Sequence, residues 1–144
     1  MSETWFIIGA SSAMARALGR AVSARSATVV LCGRDTEDLE RDATDLRLRG
    51  AMQVEVLPYD MRDTASADAI TTRAEHVDGP FNVAVFAGAM PPQEDIEADP
   101  SLLAEVIQDN FTATGTLLLR LAPLMEARGA GTVVGVGSVA GDRG

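Results

Sequence analysis

A run of small residues follows the first strongly apolar segment of the chain and leads directly into a segment of helical period. The run is Gly9-Ala10-Ser11-Ser12-Ala13-Met14-Ala15. Small side chains let a backbone approach a diphosphate closely, and the free N–H groups at a helix N-terminus attract its charge. The hydroxyls of Ser11 and Ser12 add hydrogen-bond donors. The run therefore predicts a nucleotide phosphate site, although an ordinary tight turn between a strand and a helix uses the same residue types.

A second candidate follows the next apolar segment, which ends in Gly33-Arg34-Asp35. In a dinucleotide-binding fold the residue at this point meets the adenosine ribose. An acid there accepts a hydrogen bond from a free 2′-hydroxyl, whereas an arginine pairs with a 2′-phosphate. Because Arg34 is the first side chain beyond the strand, the pattern favours NADP(H) over NAD(H). The alternative is that Arg34 is a solvated partner of Asp35 or Glu37.

Three later segments place residues where the rest of such a ligand would lie. Tyr59-Asp60-Met61 offers an acid and a flat apolar residue to an adenine edge, although a plain loop is nearly as consistent with it. The small residues Ala87-Gly88 permit close approach of the backbone near a nicotinamide ribose. Ser138, which follows the last apolar segment, can point a hydroxyl into a crevice or can simply cap a turn.

The residue types that the chain lacks exclude several chemistries. All 12 basic residues are arginine, and there is one histidine, His76, one tyrosine, Tyr59, and one cysteine, Cys32. Lysine Schiff bases, Walker-type phosphate lysines and multi-histidine metal sites are therefore excluded, and no metal site is predicted. Cys32 lies in an apolar run, which favours a small buried side chain over a reactive thiol.

Charge and hydropathy limit the partners of the chain. The formal net charge is −9, which argues against a nucleic-acid or anionic-membrane surface because both need clustered cations. No apolar run approaches the roughly 18 residues that a membrane span needs, and the first residues lack the basic segment of a signal peptide. We therefore expect a cytoplasmic protein that binds neither nucleic acid nor membrane.

The elements that must position these residues alternate along the chain. The predicted strands are Thr4–Ile8, Ala27–Cys32, Gln53–Leu57, Asn82–Phe86 and Thr132–Val136. Their mostly continuous apolar character is typical of parallel strands that are buried on both faces. Alternation of strands and helices predicts an α/β fold, a doubly wound parallel sheet with helices on both faces and ligands at the carboxyl ends of its strands.

Helical periodicity predicts the segments between the strands. An amphipathic helix after the first strand is predicted by apolar residues three and four apart, namely Met14, Ala17, Leu18 and Ala21. A long helix is predicted over 100–128, with Pro100 in its first turn and a bend or interruption near Pro123. The chain has no internal repeat and no linker, so residues 1–144 are expected to form a single domain.

Together, these segments resemble the short-chain dehydrogenase/reductase family over almost the whole chain. The run Ile8–Ala15 is similar to the family's Thr-Gly-x-x-x-Gly-x-Gly, with alanines at 13 and 15 in place of two glycines. Gly33-Arg34 resembles the form seen in NADP(H)-preferring members, and Asp60-Met61 matches the family's adenine-side acid and its neighbour. The cofactor-binding residues implied by the resemblance are Gly9, Ser11, Ser12, Met14, Arg34, Asp60, Met61, Ala87 and Gly88.

The resemblance continues through the second half of the chain. Val85-Phe86-Ala87-Gly88 stands where the family has Asn-Asn-Ala-Gly and keeps only the last two residues. Asn110 matches the asparagine of the family's catalytic tetrad, and Ser138 matches its serine. The family's acid, a tyrosine in Tyr-x-x-x-Lys about a dozen residues after the serine, has no counterpart here. Tyr59 cannot replace it, because it follows the third strand on the adenosine side and Asp63 stands four residues later.

The resemblance implies a Rossmann-like sheet of strand order 3-2-1-4-5 and hydride transfer between NADP(H) and a small carbonyl or alcohol substrate. Ser138 would hydrogen-bond the substrate oxygen, and Asn110 would hold the water chain of a proton relay. Without the Tyr/Lys acid, we expect the chain by itself to be inactive, and we expect the domain to be incomplete at its C-terminal end. The alternative is a catalytically silent dinucleotide-binding regulator or an interaction module.

Oligomerisation is also implied by the resemblance. The helix 100–128 is apolar on more than one face, and related enzymes pair through such a helix, so a homo-oligomer is expected. The alternative is that those apolar residues simply cover the sheet and the absent C-terminal part of the domain. These residues are not expected to identify the substrate, because the family's substrate-binding residues lie largely beyond the serine.

Overall fold

A computed structural model describes residues 3–143, and in it strands and helices alternate as the periodicity predicts. The five strands are β1 (Thr4–Ile8), β2 (Thr28–Gly33), β3 (Gln53–Pro58), β4 (Phe81–Val85) and β5 (Val133–Gly135). The helices are α1 (Ala13–Ser23), α2 (Thr36–Leu48), α3 (Ser66–Glu75), α4 (Gln93–Ala98), α5 (Leu102–Ile107) and α6 (Ala113–Arg128). A π-helical turn, Gln108–Thr112, joins α5 to α6, and a 3₁₀ turn, Val139–Gly141, follows β5. Strand bounds agree with the predicted ones to within one residue.

All five strands are parallel and lie in the order β3-β2-β1-β4-β5, which confirms the predicted topology. β1 is central, and Phe6 pairs with Val30 of β2 on one side and with Val83 of β4 on the other. After β3 the chain crosses back past β1 to form β4, so the direction of winding reverses between β1 and β4. In open parallel sheets, this switch point is where the carboxyl ends leave a crevice for a ligand.

Two apolar layers cover the sheet because alternate side chains of each strand point to opposite faces. On one face, Phe6 and Ile8 pack with side chains of α3 and α6, and the Phe6 and Phe81 rings meet edge to face at 5.4 Å. On the other face, Ile7 packs with residues of α1 and α2. No helix described between residues 3 and 143 is long and apolar enough to cross a membrane.

The predicted apolar stripe of α1 is wrong by about one position. Met14 is 58% exposed, and the residues that α1 buries are Ala15, Gly19, Val22 and Ser23. The cause is close packing against α2, where a Cβ on Gly19 would lie 3.2 Å from a methyl of Leu46. Small residues therefore face inward here, whereas hydropathy alone favoured the larger Met14.

The predicted helix 100–128 is helical from Leu102 to Arg128, and it is not interrupted at Pro123. Pro123 lies inside α6 on an exposed side, and Leu119, whose carbonyl loses a donor there, is exposed as well. Water can satisfy that carbonyl, so the helix continues. The interruption is the π-turn Gln108–Thr112, which holds Asn110.

Candidate functional site

A cavity of about 190 Å³ opens at the carboxyl edge of the sheet, at the switch point between β1 and β4. Its lining comes from the ends of four neighbouring strands: Gly9, Ser11, Ser12, Gly33, Arg34, Tyr59, Met61, Phe86, Ala87 and Gly88. Seven of the nine predicted cofactor residues belong to this set, and Met14 and Asp60 do not. Residues from distant parts of the chain thus meet because parallel strands bring their carboxyl ends to one edge.

The turn after β1 is held between the two neighbouring strands. The N–H groups of Gly9 and Ala10 both donate to the Cys32 carbonyl, at 2.9 and 3.1 Å. Gly9 has a φ of +75°, and a Cβ on it would lie 2.7 Å from the backbone nitrogen of Ala87. No side chain fits there, and the left-handed conformation itself favours glycine. The backbone of this turn therefore forms the floor of the cavity.

The N-terminus of α1 faces the same edge with unused donors. Ser12 is the N-cap, and its Oγ accepts a hydrogen bond from the N–H of Ala15 at 3.2 Å. Among residues 3–143, the N–H groups of Ala13 and Met14 have no hydrogen-bond acceptor. No acid lies in the first turn, so nothing opposes an anion at this end of the helix dipole. Met14 offers the site its backbone N–H, because its side chain points to solvent.

Arg34 is exposed at the mouth of the cavity, and its guanidinium forms no ion pair or hydrogen bond within the described part of the chain. The two acids that could have paired with it are engaged elsewhere. Asp35 caps α2 by accepting a hydrogen bond from the Asp38 N–H at 2.9 Å. Glu37 pairs with Arg41 at 3.3 Å. The alternative expectation, that Arg34 is the partner of these acids, is therefore wrong.

The segment after β3 presents its two apolar residues to the cavity and turns its acid away. Tyr59 is buried beside Cys32, and burial raises the pKa of its phenol. Met61 lines the cavity, but Asp60 does not, because its Oδ1 accepts a hydrogen bond from the Arg62 N–H at 2.9 Å within its own loop. Asp60 reaches only a small neighbouring cleft between this loop and α6.

Asn110 holds the loop after β4 from the π-turn. Its Oδ1 accepts a hydrogen bond from the Ala89 N–H at 3.2 Å, and its Nδ2 donates to the carbonyls of Ala89 and Val106. The fit is close, since a Cβ on Gly88 would lie 2.7 Å from Asn110 Oδ1. The predicted site residues Gly88 and Asn110 are thus brought together.

Ser138 is not brought to the cavity. It is exposed, and its Oγ accepts a hydrogen bond from the Ala140 N–H at 3.1 Å, so in this structure it caps its own turn. The register between β4 and β5 places Ser138 towards the carboxyl edge of the sheet, because Val85 pairs with Gly135. Extension of that register by three residues would place Ser138 beside Gly88.

Sequence reasoning missed one residue of this region, Asp109. Asp109 is 2% exposed, and its carboxylate accepts hydrogen bonds from Nε and Nη2 of Arg62, with the shortest contact at 2.7 Å. A signal was present, because Asp109 stands at a spacing of four before the buried residues Ala113, Leu117 and Leu121. An acid on the apolar stripe of a helix predicts a buried, paired carboxylate.

Two further chemistries are not supported by the geometry. Cys32 is fully buried, and burial raises the pKa of its thiol, which leaves it unreactive as predicted. Within residues 3–143 no group of three histidine, cysteine, aspartate or glutamate side chains could hold a metal ion.

Comparison with known proteins agrees with this geometry. A family model described as short chain dehydrogenase matches residues 3–144. Uncharacterized oxidoreductase Rv2073c of Mycobacterium tuberculosis is 34% identical over 140 residues, which are 95% of this chain and 55% of that protein. The chain spans about half the length of the curated relatives that it matches.

Solved structures superpose on the same elements. A short-chain dehydrogenase from Sphingobium yanoikuyae in complex with NADPH has a TM-score of 0.86 and 26% identity, over 99% of this chain and 56% of that one. A 3-oxoacyl-[acyl-carrier protein] reductase from Brucella melitensis with bound NAD has a TM-score of 0.83 and 27% identity, over 97% of this chain and 55% of that one.

Proposed function

The chain belongs to the short-chain dehydrogenase family, and from that premise we propose that it is the NADP(H)-binding part of an oxidoreductase. The reaction proposed is hydride transfer between nicotinamide and a small carbonyl or alcohol substrate. The observation that carries this proposal is the guanidinium of Arg34, unpaired within residues 3–143, beside a cavity whose lining includes several small residues and lies next to free backbone amides at the start of α1.

The residues at the cavity fit a dinucleotide. The hydroxyls of Ser11 and Ser12 and the free N–H groups at the start of α1 suit a diphosphate. Arg34 suits the additional phosphate of NADP(H), since an arginine fork matches phosphate oxygens. Met61 offers an apolar surface to the adenine, and the small residues Ala87 and Gly88 leave room at the nicotinamide end. When bound, the dinucleotide supplies or accepts the hydride.

This chain's own groups have limited roles in the reaction. Asn110 fixes the backbone of the loop after β4, and Ser138 would hydrogen-bond the substrate oxygen once its turn is held against that loop. No tyrosine–lysine pair is present in the chain to donate the proton. Because a positioned general acid contributes about 10²–10⁴ in rate, we propose that these residues alone bind the cofactor without measurable turnover.

The choice of cofactor is the part of the proposal that a single substitution tests. Structural neighbours of this chain include one complex with NADPH and one with NAD. Arg34→Asp removes the proposed partner of the 2′-phosphate and adds an acid that can accept from a 2′-hydroxyl. Because charge-assisted hydrogen bonds contribute about 1.5–3 kcal/mol, we expect NADPH to bind about 10- to 100-fold more weakly, while NADH binding holds or improves.

The control is Arg41→Asp, which makes the same change of charge at an arginine of α2 that pairs with Glu37. Isothermal titration of both variants with NADPH and NADH separates a local contact from a general electrostatic effect. If Arg34→Asp keeps its affinity for NADPH and gains none for NADH, the assignment of Arg34 is wrong. If the unsubstituted chain binds neither dinucleotide, and neither one changes its melting temperature, the interaction-module alternative replaces the proposal.

A homo-oligomer through the long helix remains part of the proposal. Residues of the π-turn and α6 surround a shallow, mostly apolar groove of about 490 Å³, and Phe111 and Leu119 are 76% and 78% exposed. Apolar patches of this kind mark interaction surfaces. A second copy of the chain is the occupant that the resemblance implies.

A further inference from the structure

Asp109 is the only charged residue between residues 3 and 143 that is buried. Arg62, which lies 47 residues earlier, reaches it with Nε at 3.1 Å and Nη2 at 2.7 Å. The same guanidinium contacts Glu105 through Nη1 at 2.7 Å. Hydrogen bonding to Asp109, with the nearby charge of Glu105, raises the pKa of Arg62. A buried charge that is paired in this way resists separation, because an unpaired carboxylate cannot remain in an apolar environment.

The pair lies directly beside the proposed site at both of its ends. Arg62 follows Met61, which lines the cavity, and Asp109 precedes Asn110, which holds the loop after β4. A second bond runs parallel to the pair, since Gln108 Nε2 donates to the Met61 carbonyl at 2.8 Å. The loop after β3 and the π-turn are therefore joined at two points.

The contacts continue from the π-turn to the opposite end of the cavity. Asn110 bonds both backbone groups of Ala89, and its Oδ1 lies 2.7 Å from where a Cβ on Gly88 would be. An unbroken series of contacts thus runs from Met61 through the ion pair and Asn110 to the Gly88 end. The π-turn is the one irregular segment of this helix, and such turns are places where a helix can adjust its local geometry.

We propose that Arg62 and Asp109 are positioning residues that transmit occupancy of the Met61 end of the cavity to Asn110, and so set the Gly88–Ala89 backbone. Neither residue is among those that line the cavity. The inference rests on the proposed function for the identity of that ligand. A pair with a purely structural role would stabilise the fold, and the environment of Asn110 would not change when a ligand binds beside Met61.

A matched pair elsewhere in the chain serves as the control. Arg73 of α3 makes two contacts to Glu55 of β3, at 2.7 and 2.9 Å, with both side chains partly buried. This pair also joins a helix to the β3 region through a bidentate guanidinium, but it contacts neither Met61 nor Asn110. The two pairs therefore share a bidentate arginine–carboxylate geometry and differ in location and in the burial of the acid.

The test uses the isotopically labelled chain and adenosine 2′,5′-bisphosphate, which carries the adenine and the 2′-phosphate but no nicotinamide. In the unsubstituted chain, binding should shift the NMR signals of the Asn110 side-chain amide and the Ala89 N–H. In Arg62→Met/Asp109→Leu, we expect binding within about threefold of the original affinity, while those shifts fall at least about twofold. Arg73→Met/Glu55→Leu should keep them in full.

Arg62→Lys is a second variant for the case in which the double variant does not fold. It keeps the charge, and with it the fold, but a lysine cannot reproduce the two-pronged contact, so the shifts should again fall at least about twofold. If the folded Arg62 variants keep the full shifts of the Asn110 and Ala89 signals, the inference is overturned. It is also overturned if the Arg73 control loses those shifts equally, or if the unsubstituted chain binds the probe without showing them. Absence of any binding overturns the proposed function instead.

Discussion

The carboxyl ends of β1 to β4 and the end of β5 lie on one edge of one sheet, yet they are built differently. At the first four ends, backbone hydrogen bonds connect each loop to a neighbouring strand. The N–H of Tyr59 donates to the Gly33 carbonyl, and the N–H of Phe86 donates to the Ile8 carbonyl. At the fifth, the N–H of Val136 still donates to the Val85 carbonyl at 3.2 Å, but β5 has three residues, and Val133, Val136 and Val139 are exposed. Ser138 makes its only described side-chain bond within its own turn.

Two physical causes account for the difference. β1 has a strand on each side, so its terminal turn is restrained from both directions, whereas in the described residues the edge strands β3 and β5 each pair with one strand. The loop after β3 is also held by Gln108 and Asp109 of the π-turn, but beyond Val136 the described hydrogen bonds of the segment after β5 all lie within that segment. A cavity formed by restrained backbone exists before the ligand arrives, and such preorganisation lowers the entropy lost on binding. The cofactor end of the proposed site is therefore formed by these residues, and the Ser138 end is not yet positioned by them.

The largest expected effect that separates the two regions comes from adding one methyl group. Gly9→Ala places a Cβ 2.7 Å from the Ala87 nitrogen at a φ of +75°, and we expect the free energy of unfolding to fall by about 3 kcal/mol with loss of NADPH binding. Gly135→Ala in β5 is the control, because a Cβ there meets nothing within 4 Å. Urea denaturation should find the control within about 0.5 kcal/mol of the original chain. Equal losses would mean that the two regions are equally restrained.

An intermediate effect is expected where the cofactor end is joined to the helix. Arg62→Met leaves Asp109 buried without its bidentate partner. Loss of one partner of a fully buried pair costs about 3–5 kcal/mol, and because Arg62 is 48% exposed we expect about 2–3 kcal/mol from urea denaturation. Arg120→Met, which removes an exposed pair with Asp68, should cost less than about 1 kcal/mol. A similar cost for both would show that the burial of Asp109 is energetically unimportant.

The smallest effect is expected at the β5 end. Ser138→Ala removes a hydroxyl that is exposed and serves only its local turn, so stability should change by less than about 0.5 kcal/mol and the Kd for NADPH should not change. With a panel of ketones, NADPH oxidation by the original chain should not exceed that of the variant. Clear turnover by the original chain would contradict the proposal that these residues alone lack a working acid.

Local patterns were sufficient to predict the sheet. Continuous apolar runs such as Thr4–Ile8 and the small residues after them predicted parallel strands and the loops that line the cavity, and the order β3-β2-β1-β4-β5 agrees with the resemblance. The stripe on α1 was wrong because hydropathy does not report how closely two helices approach, and contact with Leu46 requires a residue as small as Gly19.

The sequence by itself determined the fold, the family and seven of the nine predicted cofactor residues that meet at the cavity, because strand spacing and backbone sterics act over a few residues. Only the tertiary structure decided which charged groups pair. Within residues 3–143, it left the Arg34 guanidinium without an ion pair and buried Asp109 against an arginine 47 residues away. Ion pairing depends on distances in space between groups that are far apart in the chain, and no local pattern specifies those distances.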